Sequence, residues 1–446
     1  MSEDNDKSSS SDSEDLNDDN TEQKNEWSTH PNYKREDKFS AHKEPSNEVN
    51  EIPKENNALS KKNKPIKNQY MLSEEPVRFT LREMDRLFLH CSELNASDIT
   101  IQTGSSVMAE IHGQLYHITQ RSLSNTEVSD MLNGIYGPNA TTQISSGRDV
   151  DTQYEIRPDR QSRYRFRING TGCQIEGHNG IQITARTLPA DPPLIATMDV
   201  QDEILENMSP LQGTVVVTGS TGSGKSTLLA AIIREIASNK NANRKILTYE
   251  SPIEFVYDSI DKPSSIISQS EIPKHLPNFA AGVRNALRRK PGLILVGEAR
   301  DPETISAVID AALTGHPVYT TLHSNGVADC VRRMISTFPA EERHGRALDI
   351  LETLRLVIWQ KLVPTIDGKR VALREFLVFD EDIRDVLVDT EVELLAAQTR
   401  TLLKKFGQPM VVDAKRKFDS GIISERVYKL FEKQSKRLDR DAGVSI

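Results

Sequence analysis

Eight consecutive residues, Gly219-Ser-Thr-Gly222-Ser-Gly224-Lys225-Ser226, have the types and spacing of a phosphate cradle. They fit the pattern G-x-x-x-x-G-K-[ST]. A Val-rich strand precedes them and a run of good helix formers follows. The glycines let the backbone turn tightly and aim its N–H groups at phosphate oxygens. Gly219, Ser220, Thr221, Gly222, Ser223 and Gly224 are therefore the expected nucleotide loop. The next helix offers its positive N-terminus to the same anion. Lys225 can reach the β- and γ-phosphates of a nucleoside triphosphate, and the Ser226 hydroxyl can ligate Mg²⁺.

Two acidic stretches come next. Tyr249-Glu250-Ser251-Pro252-Ile253-Glu254 ends the strand that follows the loop's helix. Leu293-Ile294-Leu295-Val296-Gly297-Glu298 is an apolar strand closing on a carboxylate. In a doubly wound sheet the C-terminal ends of strands line the ligand crevice, so Glu250, Glu254 and Glu298 are expected to face the phosphates. Hydrolysis needs a carboxylate to orient or deprotonate water, and Mg²⁺ takes oxygen ligands. Each acid could instead cap a helix or pair with an arginine. The run from Thr314-Gly315-His316 to Thr320-Thr321-Leu322-His323 delivers His323 to the same edge, to sense phosphate, bridge subunits or serve structure alone. Phosphoryl transfer also gains from an arginine supplied by a neighbouring subunit. Arg163, Arg165 and Arg167 share one strand face, because side chains two apart point the same way. Arg186, Arg284, Arg288 and Arg289 are further candidates, beside the plainer reading of a solvated basic face.

These side chains need elements to position them. From GTVVVTG to VYTTLH, apolar strand-like runs alternate with helical ones, which predicts a mainly parallel, helix-covered sheet. Upstream, FTLREMDRLFLHCSEL places Leu81, Met84, Leu87, Phe88 and Cys91 at helical spacing. ASDITIQTG and MAEIHGQLYHIT change to period two, the second reading as a hairpin around Gly113. LSNTEVSDMLNGIY predicts another helix, and RYRFRING a strand ended by an Asn-Gly turn signal. Residues 76–187 thus read as an α+β domain. LPADPPL marks a linker over 188–195. An α/β nucleotide domain is expected over 196–381, and a charged helical region over 382–446. Residues 1–75 are too poor in apolar side chains to offset their ordering entropy, so a disordered polar head is expected there.

Composition narrows the function. The chain has 446 residues, net charge −9 and only three cysteines, Cys91, Cys173 and Cys330. The charge argues against stable direct binding to DNA, although KKNKPIK in the head is locally basic. No apolar run approaches the roughly 20 residues of a membrane span. The opening MSEDNDKSSSSDSEDLNDDN is the opposite of a basic-then-apolar leader, and scattered cysteines suit a reducing cytosol.

Taken in order, the motifs resemble the type II/IV secretion (PilT/GspE-like) ATPase family. GSTGSGKST matches its P-loop, ESPIE its Asp box, GLILVGEARDPET its Walker B segment, TGHPVYTTLH its His box and RYRFRIN its arginine-bearing strand. The similarity runs from about Ala96 to about Phe379. VRNALRRKP, GEARDPETI, GHPVYTTLHSNGVAD and MVVDAKRKFDSGIISE are most similar to its DotB/TraJ branch, the ATPases of type IVB secretion and conjugation. The resemblance implies a homohexamer whose subunits join a PAS-like N-terminal domain to a RecA-like P-loop NTPase domain, with ATP bound between them. It implies that Lys225, Ser226 and Thr227 hold phosphate and Mg²⁺, that Glu298 is the Walker B glutamate, and that Glu250 and Glu254 are Asp-box acids. His316 and His323 become His-box residues, and Arg165 and Arg167 γ-phosphate sensors. Ser251 departs from the aspartate of PilT-like proteins, which shifts weight onto Glu250 and Glu254. The expected function is a cytoplasmic ATPase, peripheral at the inner membrane through secretion-complex partners. The alternatives are a pilus retraction motor and a nucleotide-gated docking ring with little turnover.

Overall fold

A six-stranded antiparallel sheet and a seven-stranded, mainly parallel sheet carry the described part of the protein. The computed structural model describes residues 68–160, 162–189 and 191–441, all within one compact unit. The head expected over residues 1–75 lies outside the described residues as far as residue 67. Its last residues do not match that expectation. The Asn68 amide donates to the His117 carbonyl (2.9 Å), Leu72 N–H donates to Ile118 (2.9 Å), and the Tyr70 and Tyr116 rings are 4.6 Å apart. Spacing alone does not reveal this packing of residues 68–72 on the first hairpin.

The N-terminal domain runs α1 (Leu81–Glu93), β1 (Asp98–Gln102), β2 (Met108–Ile111), β3 (Gln114–His117), α2 (Asn125–Tyr136), α3 (Ala140–Ser145), β4 (Val150–Ile156), β5 (Tyr164–Ile175) and β6 (His178–Leu188). Its sheet order is β3-β2-β1-β6-β5-β4. α1 buries Met84, Leu87, Phe88 and Cys91, as its periodicity predicts, while Leu81 lies at the exposed end. α2 starts with a capping box between Ser124 and Glu127. Although burial opposes it, the Arg121 guanidinium and two backbone N–H groups hold the Glu127 carboxyl down to about 2. The Asn169-Gly170 turn does not form. β5 continues through it, and a Cβ at Gly170 would lie 2.9 Å from Leu132 of α2. The glycine admits a helix against the strand, and the chain reverses at Glu176-Gly177 instead (φ 48° and 83°).

The segment read as a linker leads through a 3₁₀ turn (Ile195–Thr197) into the second domain. There follow α4 (Asp202–Asn207), β7 (Gly213–Thr218), α5 (Lys225–Ser238), β8 (Lys245–Glu250), β9 (Ile266–Glu271), α6 (Phe279–Leu287), β10 (Leu293–Val296), α7 (Pro302–Leu313), β11 (Pro317–Leu322), α8 (Val327–Ser336), α9 (Arg343–Thr353), β12 (Leu354–Pro364) and β13 (Arg370–Val378). The sheet order is β13-β12-β7-β11-β10-β8-β9, parallel except for β13. β7 shows why its sequence is an unbroken apolar run. Val215 and Val217 pack with Leu228 and Ile232 of α5, whereas Val216 faces Ile305 and Val308 of α7. A strand covered on both faces cannot alternate. The helices α10 (Glu381–Val388), α11 (Leu395–Phe406), α12 (Met410–Asp419) and α13 (Glu425–Asp441) complete the described chain.

Candidate active site

Four adjacent parallel strands end at one edge, and each hands a chemical group to it. β7 runs into the loop at Gly219, β8 ends on Glu250, β10 is followed by Glu298 and β11 by His323. Their registers pair Thr218 with Leu322, and Val296 with both Thr320 and Tyr249, so the ends are level. Backbone bonds extend that edge, from Gly297 N–H to Tyr249 (2.8 Å) and from Ala299 N–H to Thr321 (3.1 Å). A cleft of about 370 Å³ results, lined by Thr221, Gly222, Lys225 and Ser226 on one side and Glu250, Glu254, Glu298 and His323 on another. Asp151 and Arg167 of the N-terminal sheet also line it. A neighbouring cavity of about 570 Å³, shared at Arg300 and His323, takes in Gly219 and Ser220.

The loop fits a bound triphosphate. Gly219 adopts φ 150° and has no room for a Cβ, which would lie 2.4 Å from the Gln360 carbonyl. The buried Ser223 hydroxyl has no hydrogen-bond partner. The Lys225 ammonium donates to the Gly219 (2.9 Å) and Ser220 (3.0 Å) carbonyls, and burial lowers its pKa from the ordinary lysine value, against the pull of Glu298 and Glu254. Ser226 lines the cleft, but Thr227, one residue on around α5, does not. Among the described residues no group of three or more His, Cys, Asp or Glu could hold a metal by itself. A divalent ion would therefore draw much of its coordination from the nucleotide's own oxygens.

The acids differ in state. Glu250 accepts from Thr248 Oγ1 (2.6 Å) and Gln269 Nε2 (3.1 Å). Burial outweighs these bonds and, with Glu254 adding repulsion, pushes its carboxyl up to about 7. Glu298 lies 3.5 Å from His323 Nε2 and 4.0 Å from the Arg300 guanidinium. Burial, then the Lys225 charge, lowers the His323 pKa. A neutral imidazole at this distance neighbours the Glu298 carboxylate without adding charge.

The structure separates other residues that the sequence grouped. His316 precedes β11, at the end of the sheet opposite His323, where its ring meets the Thr314 hydroxyl and the Ala311 carbonyl (both 3.2 Å). Six strand residues divide the two histidines, so His316 does not reach this cleft. Arg165 is only 1% exposed and donates to the carbonyls of Ile253 and Glu254 (both 2.6 Å) and to Gln153. It grips the acidic loop from behind, which leaves Arg167, paired with Asp151 at 2.7 Å, as the strand's arginine in the cleft. Arg163 pairs with Asp258 (3.1 Å), Arg186 with Asp98 (2.9 Å) and Arg284 with Glu303 (3.1 Å). Arg288 donates to the Arg284 carbonyl and Arg289 to Ser268. None of these five lines the cleft. Sequence reasoning missed Asp151, which opposes the arginine strand, and Gln360, which no local motif marks.

Comparison with known proteins agrees with this geometry. The profile of the family described as "Type II/IV secretion system protein" matches residues 80–380. The solved structure of the Legionella pneumophila ATPase DotB is 61% identical, covers 82% of this chain and 99% of its own, and superposes with a TM-score of 0.77. A crystal structure of the pilus retraction motor PilT with bound ADP is 28% identical and covers 81% of this chain and 100% of its own, with a TM-score of 0.69. The type IV pilus retraction ATPase PilT of Pseudomonas aeruginosa is 31% identical over 72% of this chain and 89% of its own length. The chain belongs to the type II/IV secretion system protein family and is one of its ATPases.

Proposed function

We propose that the protein is a hexameric ATPase that powers a type IVB secretion machine, seated on the cytoplasmic face of the inner membrane through partner proteins. One observation carries the reading. The cleft is lined from both sheets, by Asp151 and Arg167 of the N-terminal sheet and by Lys225, Ser226, Glu254 and Glu298 at the edge of the parallel sheet. Closing such a cleft on ATP moves one domain against the other, which is how a motor converts binding into displacement. The likeness to DotB supports the secretion branch.

The loop N–H groups and Lys225 would bind the phosphates, and Glu298 would orient the attacking water and draw its proton. A Mg²⁺ ion held by Ser226 and the nucleotide would neutralise charge on the β- and γ-oxygens. Arg167 would meet charge developing on the γ-phosphate. The N-terminal domain, read as PAS-like, would deliver it as the domains close. Among the described residues no helix is long and apolar enough to cross a membrane, and the reading gives membrane contact to the partners.

Phosphate release by the purified full chain tests this, alongside sizing by light scattering over a dilution series. Specific activity should rise with concentration and level off once hexamers form, and Lys225→Ala should abolish it. A fully active monomer, or wild-type turnover in Lys225→Ala, overturns the reading. Pilus retraction is the second reading, favoured by the relatives named for it. Recovery of the chain with a pilus base instead of a secretion complex would select it.

A further inference from the structure

A row of buried polar groups runs sideways from the phosphate loop to the C-terminal helices. The parallel register of β12 with β7 pairs Trp359 with Thr218, so Gln360 falls beside Gly219, the first residue of the loop. The next strand, β13, pairs Arg374 directly with Gln360. Both side chains are 1% exposed. Gln360 Nε2 donates to the Ser223 carbonyl (2.8 Å), and its Oε1 accepts from Arg374 Nε (2.9 Å). Two loop glycines are shaped by this one residue. A Cβ at Gly219 would meet the Gln360 carbonyl at 2.4 Å, and one at Gly224 would meet Gln360 Nε2 at 2.9 Å.

Beyond Arg374 the row divides. Its guanidinium donates to the carbonyls of Asp199 (2.8 Å) and Met198 (3.2 Å), in the segment that joins the interdomain linker to α4. Its backbone N–H donates to Asp413 of α12 (2.8 Å). Arg416, one turn along α12, closes the loop by binding Asp413 (2.8 Å) and Asp199 (3.0 Å), and Lys417 also pairs with Asp199. A buried amide with both ends bonded has one orientation, so a shift at either end is passed to the other.

We propose that Gln360 is a positioning residue of the nucleotide site and that, with Arg374, it couples the phosphate loop to α12 and to Met198–Asp199, the segment between the linker and α4. Movement of that segment, which follows directly on the interdomain linker, then alters the carbonyl of Ser223 and the aim of the loop's N–H groups. This rests on the ATPase reading but is separable from it.

The test measures ADP affinity by calorimetry, kcat and KM for MgATP, and thermal unfolding, on the full chain. Gln360→Glu keeps the shape and the Arg374 contact but turns an acceptor toward the Ser223 carbonyl. It should weaken ADP binding and raise KM about tenfold, as expected for one lost buried hydrogen bond. Arg416→Ala, at the surface and remote from the cleft, should weaken ADP binding several-fold while remaining folded. The double variant should fall short of the product of the two effects, because both act through one row. Unchanged ADP affinity in folded Gln360→Glu overturns the positioning role. Unchanged affinity in Arg416→Ala, or independent multiplication of the two effects, overturns the coupling to α12. If wild type neither binds ADP nor turns over ATP, the ATPase reading fails instead.

Discussion

The Arg165 guanidinium sits 2.6 Å from the carbonyl oxygen of Glu254, so the N-terminal sheet holds the backbone of an acid whose side chain lines the cleft. Arg167, two residues along the same strand, lines that cleft itself. The two arginines should therefore fail differently. Arg165→Ala strands the carbonyls of Ile253 and Glu254 and should cost about 2–4 kcal/mol of stability as well as turnover. Arg167→Ala breaks a half-exposed pair with Asp151 and should cost under about 1 kcal/mol, yet lower kcat more than nucleotide affinity. Thermal unfolding and steady-state kinetics of both variants decide the matter. Equal stability losses would show that Arg165 does not anchor the acidic loop, and a kcat-selective defect would then restore the sensor role that the family resemblance implies.

Glu298→Gln should retain ADP binding and lose turnover by about 10²–10⁴-fold, since an amide keeps the shape of the carboxylate but cannot take a proton. Calorimetry with single-turnover phosphate release checks it. Normal hydrolysis in Glu298→Gln, with loss in Glu254→Gln, would exchange the roles of the two acids.

Glu250 should make the protein less stable as pH rises. Burial pushes its folded carboxyl up to about 7, above the ordinary glutamate value of 4.5, so the folded state holds the proton longer than the unfolded state does. Below pH 4.5 both states are protonated and nothing is lost. Between 4.5 and about 7 stability falls, and above that the full cost of a buried carboxylate is present. Glu250→Gln should remove this slope and raise Tm at pH 8 by about 2–4 °C. Melting curves of nucleotide-free protein from pH 4.5 to 8 would show it. A variant with the wild-type slope would mean that another group titrates.

His323→Ala should reduce kcat by about tenfold or more, because it leaves Glu298 without its imidazole neighbour. His316→Ala should leave KM and kcat within about twofold, since that ring bonds at the far end of β11. A large kinetic defect in His316→Ala that varies with protein concentration would assign this histidine to a contact between subunits.

Much of this site was legible in the chain because its parts are local. The phosphate loop is a turn with its strand and helix attached, so eight neighbouring residues are enough to identify it. The apolar runs of β7, β8, β10 and β11 declared a sheet covered on both faces, and a parallel sheet brings its C-terminal ends to one edge whatever the loops between them. Glu250, Glu298 and His323 therefore followed from strand ends alone. What spacing cannot carry is depth and partner. Arg165 and Arg167 share one face, and only docking of the two domains decides that one is buried against the acidic loop while the other lines the cleft. Asn169-Gly170 has the composition of a turn, but Leu132 packing on the strand makes it a close approach instead. Gln360 meets Gly219 across more than a hundred residues of chain, through a strand register that no local pattern encodes. The local propensities of this sequence determine which elements exist, and long-range packing in the tertiary structure decides which side chain each element meets.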